Sequence, residues 1–316
     1  MRFILPIVIF SALAWLFYEK SECRLYRHIA TIRHPTEANY RTIQDHLYRG
    51  RRPLLHYLKD YTSKARHVKL IGRHPHEMPQ YGRVVVNTTE EDRDCCLLLY
   101  ASYNKNYPAA LYRLLECIKA SDYRGHILFR VGGWPNAEGG DLLLSRVPYA
   151  FKVCFFREAE RLGYKKALWL DTSVTSLVSL NDHFARIAEK GYLVVGNAHT
   201  IGPFFNKVAA KALKISLEES FSIPSISAGI LGFDFSHALA QEALHRWYIA
   251  AKETPAFFSA RPEQNALSVI LYTLGMTDWI PGRQMAENRE IVEADSLFVL
   301  DRKFAYTAIK VRKNKK

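Results

Sequence analysis

The chain has 316 residues, 48% of them hydrophobic and 24% charged, with 16 Gly and 13 Pro, a mix that excludes a disordered, collagen-like or low-complexity chain. Lys and Arg number 44 against 31 Asp and Glu, a formal charge of +13, which brings anionic partners into consideration. Five Cys without any C-x-x-C spacing argue against a disulfide scaffold and a structural zinc site.

The positive charge is unevenly placed. Residues 24–83 carry 13 Lys/Arg against 4 Asp/Glu and seven of the twelve His, residues 84–300 are near neutral at 22 against 24, and the last sixteen residues hold 7 against 1. The basic character therefore belongs to the two ends and not to the middle.

In chain order, residues 3–18 are free of formal charge and follow Arg2. They read as a short signal-anchor, a single membrane pass within residues 1–20. Ala12-Leu13-Ala14 matches an A-x-A cleavage pattern, but cutting there would strand Trp15-Leu16-Phe17-Tyr18 at the new terminus. Lys20, Arg24, Arg27 and Arg33 favour keeping the downstream side cytoplasmic, yet long domains translocate regardless, so the side of the membrane stays open. Residues 21–83, broken by Pro35, Pro53, Pro75 and Pro79, read as a basic helical stem without a strand pattern. Its Tyr residues suggest a nucleic-acid surface, but a basic stretch directly after a membrane segment is expected to meet anionic lipid, and no nucleic-acid partner is expected. Asn87-Thr88-Thr89 is a glycosylation sequon that matters only on a lumenal side.

From Val84 the pattern changes to alternating strands and helices. Cys95-Cys96-Leu97-Leu98-Leu99-Tyr100 is apolar throughout, as a strand covered on both faces must be, and its thiols read as buried. A helix over 108–120 follows, with Leu111, Leu114, Leu115 and Ile118 in one stripe. Residues 125–131 form the next strand, a helix carries Phe151, Phe155, Ala159 and Leu162, and Ala167-Leu168-Trp169-Leu170 is a buried strand ending on Asp171. Strands at 193–195 and 228–233 and helices near 181–190, 236–251 and 262–274 complete an α/β domain over 84–316, with a mostly parallel central sheet flanked by helices. Ligands bind at the carboxyl ends of such strands, which selects 102–104, 132–136 and 171–173 as one mouth.

Within that mouth, Asp171 followed two positions later by Ser173 offers a carboxylate and a hydroxyl on one strand face. A divalent cation on a diphosphate needs only one or two protein oxygens; a turn-capping Asp accounts for the same residues. Four stretches in order, Leu99-Tyr100-Ala101-Ser102-Tyr103-Asn104, Pro148-Tyr149-Ala150-Phe151-Lys152, Trp169-Leu170-Asp171-Thr172-Ser173 and Ser227-Ala228-Gly229-Ile230-Leu231-Gly232-Phe233, with Pro262-Glu263-Gln264-Asn265-Ala266-Leu267 as a fifth, resemble the GT-A nucleotide-diphospho-sugar transferases, particularly glycosyltransferase family 8. The match covers about residues 95–276.

The resemblance implies a GT-A-like fold and sugar transfer from a nucleotide-sugar donor to a glycan, lipid or protein acceptor. It implies that Ser102 and Tyr103 hold the base and ribose. The family's D-x-D motif falls on Asp171 and Ser173, with a hydroxyl in place of the second acid; it implies a divalent cation, Mn2+ or Mg2+, held by these two, with His199 as a further candidate ligand. Lys152 is either a phosphate-neutralising cation or a solvated surface Lys. Ala228, Gly229 and Gln264 are implied on the acceptor side, and Glu263 is a candidate base that also suits the start of a helix. The missing acid favours the alternative of a non-catalytic nucleotide- or glycan-binding protein on a degenerate transferase fold.

Overall fold

Alternation along the two central strands decides which side chains meet which layer. In β2 (Cys95–Ala101), Cys96, Leu98 and Tyr100 point to one face while Leu97, Leu99 and Ala101 point to the other. In β4 (Lys166–Asp171), Ala167 and Trp169 share the first face and Leu168 and Leu170 the second. Both strands are buried on two sides, so helices cover both. The structure is a computed structural model that describes residues 81–101, 107–131, 134–135, 144, 147–287 and 293–300.

The first face packs on α2 (Phe151–Arg161), α5 (Ala238–Glu253) and α6 (Pro262–Thr273), through Val153, Phe156, Trp247, Leu267 and Ile270. The second packs on α1 (Tyr107–Lys119) and α3 (Leu180–Lys190), through Leu111, Leu115, Phe184 and Ile187. Ser179 caps α3 by accepting from the Asn181 N–H, and Gly191 ends it at φ 80°, a left-handed backbone that a side chain resists. Pro262 opens α6, where its missing N–H costs nothing. A short α4 (Lys207–Ala212) lies between β6 and β7.

The fold is mixed α/β, with a six-stranded sheet in the order β1-β3-β2-β4-β7-β6. β3 (Gly125–Val131), β2 and β4 run parallel. β1 (Tyr81–Val86) is antiparallel to β3, and β7 (Pro224–Asp234) is antiparallel to both β4 and β6 (Tyr192–Thr200). The expectation of a mostly parallel sheet is therefore corrected: three of the five pairings are antiparallel. A strand buried on both faces is apolar whichever way it runs, so its composition does not carry its direction. β1 also takes in Tyr81, Gly82 and Arg83, the last three residues assigned to the stem. The remainder of the stem and residues 1–20 lie outside the described residues; among those described, no helix is long and apolar enough to cross a membrane.

The thiols of β2 are free, and burial pushes Cys95 up to about 12 and Cys96 higher still, which keeps both protonated and unreactive at neutral pH. The sequon residue Asn87 donates its side-chain amide to the carbonyls of Ser121 and Tyr123, 3.0 and 2.9 Å away, and a glycan on that nitrogen would replace one of the two N–H groups that make these bonds.

A second small sheet, β5 (Val174–Ser176), β9 (Phe298–Leu300) and β8 (Met285–Glu287), continues directly from the end of β4. His183 of α3 fastens it, stacking on Phe298 at 4.5 Å and placing Nε2 2.8 Å from Ser176 Oγ. Since Ser176 Oγ donates to the Val178 carbonyl, it accepts from His183 Nε2–H. Burial first, and Arg186 second, push His183 down from its ordinary 6.5 to about 4. A depressed pKa contributes stability that is present above about 6.5 and lost as pH falls through about 4, here roughly 3 kcal/mol. Denaturant titrations between pH 7 and pH 4 are expected to register that loss, and His183→Gln to flatten it.

Candidate functional site

Three charged side chains from three elements converge at the carboxyl end of β4. Alternation sets Asp171 on the same face as Trp169, and the indole Nε1 donates to Asp171 Oδ1 at 2.8 Å. That face is the one covered by α2 and α6, whose first turns carry Lys152 and Glu263. Lys152 Nζ lies 3.3 Å from Asp171 Oδ1, 3.5 Å from Glu263 Oε1 and 2.7 Å from the Ala228 carbonyl, and it sits over the Trp169 ring at 5.3 Å. The Asp171 side chain remains 39% exposed while that of Lys152 is 5% exposed. One carboxylate thus reaches the outside from an otherwise buried cluster.

Burial is the largest influence on Lys152 and disfavours its charge, but Asp171 and Glu263 on either side outweigh it and the net direction is up. For Glu263 burial is again the largest influence and raises the pKa; Lys152 opposes it, Asp171 adds to it, and the net direction is up. The cluster brings two carboxyl groups around one ammonium.

Lys152 is buried, which removes one of the two readings expected from sequence. An ammonium has three N–H donors, and three protein acceptors surround this one. It is not a solvated surface Lys, and contact with a phosphate would require one of these bonds to break. Its role is to tie Asp171, Glu263 and β7 together from beneath. Ala228 contributes through its backbone carbonyl, and Gly229 by having no side chain, because a Cβ there would lie 3.2 Å from Asp171 Oδ2.

Gln264 turns its amide nitrogen to Ser225 Oγ at 2.9 Å, and Ser268 Oγ accepts from the Ile226 N–H at 3.1 Å, so the first turns of α6 are bonded to β7 at the level of the cluster. Ser173 is buried just past β4. Ser102 and Tyr103 lie outside the described residues.

His199 belongs to a different network. Its Nδ1 donates to the Thr200 carbonyl at 3.0 Å, which leaves Nε2 as the acceptor for Arg261 at 2.7 Å. Arg261 in turn lies over the Phe204 ring at 3.8 Å. A metal at Nε2 would have to displace Arg261. Among the described residues no group of three or more His, Cys, Asp or Glu is arranged to hold a metal ion.

Two parts of the site were not singled out from sequence. Trp169 orients Asp171, a role that the i, i+2 spacing on one strand face would have revealed. Tyr149, one turn ahead of Lys152, is half exposed, stands at φ 62° and accepts the Lys152 N–H on its carbonyl at 3.1 Å. Partial burial pushes its phenol up, Glu263 and Asp171 add to the rise, and Lys152 opposes it. Comparison of the sequence with known protein families and with curated proteins finds no match, so the chemistry of this cluster carries the functional argument.

Proposed function

We propose that the chain is a glycosyltransferase of GT-A-like fold that moves a sugar from a nucleotide-diphosphate-sugar donor to a glycan, lipid or protein acceptor. The observation that carries this reading is the half-exposed Asp171 carboxylate at the tip of a central strand, held by Trp169 and Lys152 with buried Glu263 close by. A carboxylate that only capped a turn would bond its own loop. Here Oδ1 is held from within the core, and Oδ2 lies beside Gly229, on a side chain that is 39% exposed.

A divalent ion such as Mn2+ or Mg2+ that took most of its oxygens from a diphosphate and water would be held by Asp171, with Ser173 as the neighbouring hydroxyl in the chain. When bound, such an ion supplies positive charge to the departing nucleotide diphosphate. Trp169 and Lys152 keep Asp171 in one orientation throughout the reaction, so no reorganisation is needed as charge develops. Glu263 is the candidate base for the acceptor hydroxyl, and it would have to open from its contact with Lys152 to reach one. Membrane attachment through residues 1–20 would keep such an enzyme near lipid-linked or membrane-bound acceptors.

A thermal-shift screen of nucleoside diphosphates with and without manganese tests the reading. Stabilisation by one nucleotide, larger with manganese, is the expected result. A shift without any donor hydrolysis or transfer would favour the non-catalytic binding protein, and no shift with any nucleotide would count against both.

A further inference from the structure

Tyr149 holds a backbone conformation that a bulky residue rarely adopts, φ 62°. Gly or Asn would occupy that position with less strain. Its ring is not needed to fill the core, being 50% exposed. It is the outer end of an aromatic ladder: Tyr149 lies 6.1 Å from Phe151, Phe151 stacks on Tyr100 at 4.4 Å and lies 5.9 Å from Trp169, and Trp169 bonds Asp171. An aromatic side chain thus stands open to solvent at the edge of a carboxylate-rich cluster.

A pyranose ring matches both halves of that surface. Its C–H face packs on an aromatic ring, and its hydroxyls donate to carboxylates. The exposed Asp171 carboxylate suits hydroxyl donors. We propose that Tyr149 is the saccharide platform of this site, its exposed ring taking the apolar face of a pyranose whose hydroxyls reach Asp171, the exposed carboxylate of the cluster. The proposal deepens the transferase reading and rests on it for the source of the sugar, which is either the donor's hexose or the acceptor's.

Two variants separate the ring from the strain. Tyr149→Gly removes both, and is expected to melt at the same temperature as the parent chain or above it. Tyr149→Phe keeps the ring. Calorimetric titration of the full chain with UDP-glucose, UDP-galactose and GDP-mannose against UDP and GDP reads the donor's sugar, and saturation-transfer NMR with methyl glucopyranoside and methyl galactopyranoside reads a free pyranose. The expected result is that Tyr149→Gly loses about tenfold in affinity for sugar ligands, with nucleoside diphosphates unaffected, and that Tyr149→Phe keeps the parent affinity. Loss in the nucleotide-sugar arm alone assigns the platform to the donor, and loss in the pyranoside arm alone assigns it to the acceptor. Pyranoside binding that depends on Tyr149 in a chain that binds no nucleotide upholds the platform and overturns the transferase reading. Nucleotide-sugar binding that Tyr149→Gly leaves unchanged overturns the platform and upholds the reading. A chain that binds neither class overturns both.

Discussion

Asp171→Asn is expected to lower sugar transfer and donor hydrolysis together by roughly three orders of magnitude while moving the melting temperature by no more than a few degrees. The two halves of that expectation have separate causes. The side chain is 39% exposed, and Asn keeps an oxygen that can accept from Trp169 Nε1 and Lys152 Nζ, so the packing at the strand tip survives and the stability cost stays near 1 kcal/mol. What Asn removes is the charge of a half-exposed carboxylate, packed beside Gly229. Activity assays on the purified chain, paired with thermal melts, measure both halves. Unfolding of the variant would return Asp171 to a structural role, and unchanged turnover would remove it from the chemistry.

The parts of this site differ in how far the sequence exposed them, and the difference is physical. Asp171 was legible because an apolar run that ends on an acid has few explanations, and because strand alternation is strictly two-residue. The helices at Phe151–Arg161, Leu180–Lys190 and Pro262–Thr273 were legible through their stripes and end signals. The direction of β7 was not, since Ser225-Ile226-Ser227-Ala228-Gly229-Ile230 reads alike in either sense and only its partners at β4 and β6 define it. Short strands such as Val174–Ser176 and Phe298–Leu300 pair across more than a hundred residues and carry no local period. The burial of Lys152 was missed although a signal was present: this residue is the one charge in Phe151-Lys152-Val153-Cys154-Phe155-Phe156, and a helix apolar on nearly all sides buries whatever lies within it. The partner of His199 was hidden for the opposite reason, because Arg261, which bonds its Nε2, lies 62 residues away. The left-handed backbone of Tyr149 leaves no mark in composition.

Lys152→Met tests the cluster from its buried centre. Met matches the lysine stem in length and leaves no large cavity, so the effect isolates the charge. Removing it leaves Glu263, 9% exposed at its side chain, beside Asp171 with no counter-charge, and breaking one side of a buried ion pair costs about 3–5 kcal/mol. The loss depends on pH in a defined sense. Glu263 already has a raised pKa in the folded chain, chiefly through burial, and Lys152 is the strongest influence holding it down. Without Lys152 it rises further. A raised carboxyl pKa favours the fold at low pH, and that contribution is lost as pH rises through the folded value. Urea denaturation should therefore find the variant much closer to the parent chain at pH 5 than at pH 8. Adding Glu263→Gln should recover most of the deficit at pH 8, because it removes the carboxylate left without a partner, and the two substitutions should be strongly non-additive. A deficit under 1 kcal/mol, or one of equal size at both pH values, would mean that Lys152 does not neutralise Glu263 and that the three residues do not act as one electrostatic unit.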